Sequence, residues 1–157
     1  MEGLTNINME NLTNIKTSVF TAIGVIGSVI VGLLGGWDTA LQTLLIFMAI
    51  DYISGLVVAG VFKKSNKTES GGLGSRAGWM GLVKKVMTLI LILMGNLLDL
   101  LLQVEYIRYG LIIAFMIDEG MSIIENAGLM GIPIPKLLSD AFDILRKKGE
   151  ANVDSNR

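Results

Sequence analysis

Three long apolar stretches, at about 18–36, 40–62 and 86–104, limit what this chain can fold into. Each holds about 20 mostly apolar residues, which is the length a helix needs to cross a bilayer. Only 17% of the 157 residues are charged and 52% are hydrophobic, whereas about a quarter of a typical soluble domain is charged. The sequence therefore predicts an all-α integral membrane protein.

A fourth stretch, at about 106–127, is apolar in its first half and then carries Asp118, Glu119 and Glu125. The basic residues indicate that it also crosses. Of the 13 lysines and arginines, six lie in the predicted loop 63–85 and five follow residue 128. Because basic loops stay on the cytoplasmic side, loop and tail share that side. This requires four spans, with both termini in the cytoplasm.

The polar ends of the chain complete the predicted organisation. Residues 1–17 form a polar or interfacial segment before a transmembrane domain at 18–131, and residues 132–157 form a cytoplasmic tail. Pro133 and Pro135 suit the start of a helix, so we predict an amphipathic surface helix at about 135–148, with disorder from Glu150 onward. Its basic end favours anionic lipid. The residues that set the topology are Lys63, Lys64, Lys84, Lys85, Arg146, Lys147 and Lys148.

The amino-acid inventory excludes several kinds of chemistry. The chain has no cysteine and no histidine, so disulfides, Cys/His metal sites and histidine-based catalysis are ruled out. A net charge of -1 provides no global field to attract nucleic acid. We therefore predict no cofactor, no metal and no nucleic-acid partner.

Small residues recur every four positions in the first stretch, at Gly24, Ser28, Gly32 and Gly36. In lipid, such a face lets helix backbones approach closely and drives helix association. The partner helix could belong to the same chain or to a second copy, and the sequence favours neither. Gly55 in the second stretch is the other predicted packing position.

Asp51 lies near the middle of the second stretch, where an acid costs at least roughly 2.5–3.5 kcal/mol to insert. The other polar residues of the spans also follow helical faces, which fits either a water-filled lumen or a hydrogen-bonded bundle interior. The predicted intramembrane polar set is Asp51, Asn96, Asp99, Asp118, Glu119, Ser122, Glu125 and Asn126.

Helix depth suggests specific pairings within this set. Asp99 and Arg108 lie at similar depth, which predicts a salt bridge across the third turn. Glu125 is expected beside Lys84 and Lys85. Asp51 and Asp118 both approach mid-depth without a nearby cation, so we expect Asp51 to be neutral or only partly ionised.

The ordered motifs of the chain resemble the toxin-secretion/phage-lysis holin family over roughly residues 38–146. They are Asp51-Tyr52-Ile53-Ser54-Gly55, Lys63-Lys64, Ser70-Gly71, Gly78, Lys84-Lys85, Asp99, Arg108, Glu119-Gly120, Ser122-Ile123, Glu125-Asn126 and Gly131-Ile132-Pro133-Ile134-Pro135. Each is short, but their order and spacing are informative. Two features depart from the family pattern, since asparagine is usual where Asp118 stands and residues 1–15 extend beyond the usual start.

The resemblance implies a phage or prophage protein that oligomerises with itself in the bacterial cytoplasmic membrane. The resulting lesions cause cell lysis by releasing an endolysin, or secrete a large toxin, without requiring direct binding of the cargo. No catalytic residues are implied. Two other classes remain open from the residues alone: a small oligomeric channel that uses Asp51 and Asp118, and a small membrane lipid kinase that holds a metal nucleotide with Glu119 and Glu125.

Overall fold

The computed structural model describes residues 2–154, and the side chains of 13–144 and Lys147 within that range. The described backbone is helical, with no strand among these residues. It divides into two units, Met1–Trp37 and Asp38–Arg157, and each is described by itself. The all-α prediction is confirmed.

The first unit is one long helix, α1 (Glu2–Leu33). It begins well before the predicted start at residue 18, so residues 2–17 continue into the apolar stretch without a break. Gly35 and Gly36 follow with φ of 90° and 100°, a conformation that glycine adopts without steric cost. These glycines end the helix. Gly36 therefore lies outside the helix, and the predicted small-residue face on α1 comprises Gly24, Ser28 and Gly32.

The second unit contains four α-helices: α2 (Thr39–Val57), α3 (Ser75–Leu102), α4 (Ile107–Met130) and α5 (Lys136–Asp154). A π-helical turn, Val58–Phe62, continues α2. Because α2, α3 and α4 run alternately up and down, their ends gather at two levels. The turn end holds Asp38 and the turn 103–106, and the loop end holds the loop 63–74 and Gly131.

Helix α3 is longer than the sequence predicted. It begins at Ser75, not at about 86, so the loop spans 63–74 instead of 63–85, and Lys84 and Lys85 lie within a helix. The segment mixes glycine, serine and charged residues, a composition that favours a flexible loop. In the structure a Cβ added at Gly81 would lie 3.6 Å from the ring of Tyr52. Tyr52 of α2 packs against this part of α3.

An apolar core lies in the half of the second unit nearest the turn end. Leu41, Leu44, Ile92 and Ile112 from α2, α3 and α4 are completely buried. Gly95 brings α3 close to α4, because a Cβ there would lie 2.6 Å from Leu111 Cδ1 and 3.4 Å from Arg108 Cα. Toward the loop end, the buried positions are mixed, with Asp51 and Asn126 beside the apolar Val58 and Ala59.

Three of the described helices are long and apolar enough to cross a membrane, at Thr13–Leu33, Thr39–Phe62 and Ser75–Leu102. Helix α4 is not among them. Its 24 residues give a length of about 36 Å, which suffices for a crossing, but its acidic residues lower its hydropathy. The fourth crossing and the cytoplasmic placement of the termini remain predictions.

Helix α5 (Lys136–Asp154) extends beyond the predicted range of 135–148. The helix includes residues 150–154 of the predicted disordered tail, and residues 155–157 lie outside the described range. Only part of the apolar side of this predicted amphipathic helix packs against α4. Phe142 packs directly over Gly120 of α4, whereas Leu137 is 84% exposed. Contact of α5 with lipid remains a prediction.

Candidate functional site

Three charged side chains from three different helices meet in the second unit. Lys85 Nζ of α3 lies 2.9 Å from Asp51 Oδ2 of α2 and 2.5 Å from Glu119 Oε2 of α4. All three side chains are at most 14% exposed. A buried charge is costly unless it is paired and hydrogen-bonded, so this polar centre connects the three helices through one ammonium group.

Asp51 receives further hydrogen bonds from α4. Ser122 Oγ donates to Asp51 Oδ1 at 2.5 Å, and Asn126 Nδ2 donates to the same oxygen at 3.2 Å. Asn126 also donates to Ser54 Oγ at 2.9 Å. Among the side chains that the structure describes, no buried polar atom lacks a partner. Within one protomer, Asp51, Glu119, Ser122 and Asn126 therefore form a hydrogen-bonded contact between helices.

The expectation that Asp51 lacks a nearby cation is wrong. Lys85, Ser122 and Asn126 all donate to it, so the premise behind a neutral Asp51 is not met. Lys85 was instead predicted near Glu125. The missed signal is helical spacing, because Lys85 continues the polar face of α3 that includes Thr88, Asn96 and Asp99.

The length of the lysine side chain explains how Lys85 reaches the polar centre. Counting 1.5 Å per residue from the turn end, Asp51 and Glu119 lie about 18–20 Å along α2 and α4, whereas the Lys85 backbone lies about 25 Å along α3. Its side chain therefore extends toward the turn end, away from the nearer loop end. Lysines usually extend toward water, so the two carboxylates hold it in the opposite direction.

Asp99 has a separate role at the turn end. Its two carboxylate oxygens accept the backbone N–H groups of Ile107 and Arg108, each at 2.9 Å. These are the first amides of α4, and Tyr106, the residue preceding the helix, provides no side-chain cap. Because the first amides of a helix lack partners within it, Asp99 caps α4 from the preceding helix.

Arg108 pairs with Asp38 at the same end. Its Nη1 lies 2.5 Å from Asp38 Oδ2, while Asp38 Oδ1 caps α2 by accepting the Leu41 amide at 2.8 Å. The predicted Asp99–Arg108 salt bridge is thus replaced by a backbone contact, and the guanidinium joins α4 to the start of α2. Burial alone would raise the pKa of Asp38, but the Arg108 and Leu41 hydrogen bonds and the Arg108 charge lower it overall.

Other predicted residues do not join the polar centre. Asp118 and Glu125 are exposed on one flank of α4, and Asn96 is half-buried on α3. Glu119 is engaged by Lys85, and Glu125 lies exposed in the wall of the same cleft. Gly55 faces Asn126, and a Cβ there would lie 3.8 Å from Asn126 Nδ2.

A cleft of about 360 Å³ opens beside the polar centre, between the loop-end halves of α2, α3 and α4. Its floor includes the polar centre, and Asp118 and Glu125 lie in its α4 wall. The loop 63–74 borders it and is internally hydrogen-bonded, with Ser65 N–H donating to Gly71 O at 2.9 Å. The polar groups therefore face a space that can hold water or a ligand.

Comparison with known proteins identifies a membrane protein class for this arrangement. The sequence model of the bacteriophage holin family matches residues 28–147. The chain is 24% identical over 117 residues to a probable holin of Bacillus phage phi105, an alignment that covers 74% of this chain and 81% of the phage protein. This chain belongs to the bacteriophage holin family.

Two bacterial proteins show higher identity. An uncharacterized protein of Halalkalibacterium halodurans is 36% identical over 120 residues, covering 73% of this chain and 83% of the relative. An uncharacterized 14.9 kDa protein of Clostridium perfringens, in the nagH 3' region, is 34% identical over 143 residues, covering 89% and 99%. No solved structure matches the chain.

Proposed function

We propose that this protein is a holin that oligomerises in the bacterial cytoplasmic membrane and forms lesions through which an endolysin or a large toxin leaves the cell. The observation that carries the proposal is the division of polar groups on α4. Glu119, Ser122 and Asn126 are satisfied inside one protomer, while Asp118 and Glu125 remain exposed on the flank.

The membrane placement follows from charge and helix length. We place the loop end and both termini in the cytoplasm, as the basic loop and tail favour. Helix α4 then crosses as the fourth span. Asp118 lies about 17 Å along α4, near mid-depth in a hydrocarbon core of about 30 Å. An exposed carboxylate at that depth needs water or a polar partner.

Lesion formation in this proposal is a change of partners. In the resting protomer, the polar centre holds α2, α3 and α4 together, and the cleft supplies cytoplasmic water to Asp118. When protomers associate, the exposed flank of α4 comes to line a wider water-filled space. The small-residue face of α1 supplies a surface for association between copies.

The first experiment follows escape from living bacteria. The chain is induced while membrane potential, a small dye and a cytoplasmic protein of endolysin size are recorded over time. Delayed escape of the protein supports a holin. A fall in potential without protein escape supports a small channel using Asp51 and Asp118, and would refute the proposal.

Cysteine accessibility tests the role of the α4 flank. The chain has no native cysteine, so Asp118→Cys and Ile113→Cys each add a single thiol to the same helix. Ile113 is 51% exposed and lies on a different flank. A membrane-impermeant thiol reagent applied from outside should modify Asp118→Cys after lesions form and leave Ile113→Cys much slower to react. Equal rates would argue against a lumen-lining flank.

A further inference from the structure

Four charged side chains outside the polar centre line the cleft, namely Lys67, Lys84, Asp118 and Glu125. Lys84 of α3 and Glu125 of α4 are both exposed and both contribute to the cleft wall. Neither takes part in the ion pairs found between described side chains. Lys84 lies about 27 Å from the turn end of α3 and Glu125 about 27 Å along α4, so the cleft presents a cation and an anion at one level on two walls.

The rest of the cleft combines polar and apolar surface. Loop 63–74 adds the exposed ammonium of Lys67 and the polar side chain of Asn66 beside the opening. Helix α2 contributes Tyr52 and Leu56. The volume of about 360 Å³ falls within the range of roughly 300–1,000 Å³ for small-molecule sites.

The level of the charged pair indicates what can enter. In the membrane placement of the proposed function, a point about 27 Å from the turn end lies where the hydrocarbon core of about 30 Å gives way to lipid headgroups. Groups available there are lipid phosphates and the polar groups attached to them. Lys67 and Lys84 can bind a phosphate, but Glu125 disfavours a headgroup that carries only negative charge.

We propose that this cleft binds the headgroup of a phospholipid that carries both a phosphate and a primary ammonium group. Lys84 and Lys67 donate to the phosphate oxygens, and the ammonium donates to the Glu125 carboxylate. The acyl chains follow the apolar side chains of α2. The inference uses the membrane placement of the proposed function and adds a ligand to it. Charge-assisted hydrogen bonds give the selectivity, since a quaternary ammonium has no N–H to donate.

Calorimetric titration of the purified full chain in detergent tests the site. Short-chain phosphatidylethanolamine should bind at least about tenfold more tightly than phosphatidylcholine or phosphatidylglycerol, the effect expected for one hydrogen bond to a charged group. Glu125→Gln should remove this preference. Lys84→Gln should weaken phosphatidylethanolamine and phosphatidylglycerol alike. Glu105→Gln is the matched control, because Glu105 is exposed in the turn at the other end.

Several outcomes would overturn the inference. Equal affinity for all three lipids would do so, as would unchanged selectivity in Glu125→Gln with native helix content by circular dichroism. Glycerophosphoethanolamine has the same headgroup without acyl chains, and equally tight binding of it would assign the cleft to a soluble ligand. Lipid selectivity without lesions in bacteria would refute the proposed function alone.

Discussion

In α1 a Cβ added at Gly24 or Gly32 would meet no atom within 4 Å, whereas in α3 one added at Gly95 would lie 2.6 Å from Leu111 Cδ1. Both helices are long enough and apolar enough to cross a membrane. The small residues of α3 are used for contact with α4 inside the second unit. Those of α1 contact nothing within their own unit.

The polar residues extend the same comparison. The second unit joins its helices through Lys85 and Arg108, whereas the apolar part of α1 beyond Lys16 has no ionisable side chain. A fixed polar centre specifies one packing of α2, α3 and α4. A face of small residues specifies close approach but no single partner, which suits a surface for association between protomers.

Removal of the Lys85 ammonium should give the largest effect. Lys85→Met leaves two carboxylates buried without a cation, and breaking a buried pair in this way costs about 3–5 kcal/mol. The free energy of unfolding, measured in mixed micelles by circular dichroism, should fall by about that amount. Lys84→Met is the matched control at the neighbouring exposed position and should change it by less than about 0.5 kcal/mol.

A second variant separates the lost contacts from the uncompensated charge. Combining Lys85→Met with Glu119→Gln removes one of the two carboxylates and should restore part of the lost stability. If Lys85→Met unfolds no more readily than Lys84→Met, the polar centre does not hold the second unit together.

The two glycine faces give the next prediction. Gly95→Leu overpacks the contact with α4 and should destabilise the chain by about 1–3 kcal/mol. Gly32→Leu meets no atom and should leave the unfolding free energy within about 0.5 kcal/mol, while reducing chemical cross-linking between copies in the membrane. If Gly32→Leu destabilises the protomer but leaves cross-linking unchanged, the face of α1 packs within the chain.

The Asp99 cap should have a smaller effect. Asp99→Ala leaves the Ile107 and Arg108 amides without their acceptor and should cost about 1–2 kcal/mol, as for other lost helix caps. Asp99→Asn keeps one side-chain oxygen and should cost less. Hydrogen exchange at the first turn of α4 distinguishes this cap from a general packing defect. Protection should fall there in Asp99→Ala and remain unchanged in α1.

The sequence predicted the helical class, the apolar spans and most members of the polar set, because hydrophobic periodicity is local. It did not predict the pairings. Asp51 and Lys85 are 34 positions apart, and Lys85 and Glu119 also 34, so their meeting depends on how three helices pack. Arg108 likewise pairs with Asp38, 70 positions away.

The predicted end of the loop at residue 85 was wrong for a related reason. Glycines 78 and 81 weaken a helix when considered alone, but packing against Tyr52 overrides local propensity. The small-residue face of α1 shows a different limit of prediction from sequence. Its spacing was recognisable in the sequence, yet spacing cannot tell an internal contact from a surface that awaits a second copy.

The smallest predicted effect concerns Asp38, which is the first residue of the second unit. Because its pKa is lowered in the folded protein, the ionised form stabilises the fold above the unfolded value of about 3.9, and this stability is lost as the pH falls through the folded value. Asp38→Asn keeps the side-chain oxygen that caps α2 and removes the charge. At pH 7 it should cost under about 1 kcal/mol, because the Asp38 side chain is 31% exposed.

The pH dependence of the difference identifies the charge as the cause. Unfolding curves of the parent chain and of Asp38→Asn should lie apart at pH 7 and converge below about pH 4, although other carboxylates lower the stability of both. The difference between the two unfolding free energies at each pH isolates the contribution of the Asp38 charge. A difference that stays constant with pH would mean that Arg108 gains little from the carboxylate charge, and that the second unit depends at this end on the Asp99 and Asp38 caps.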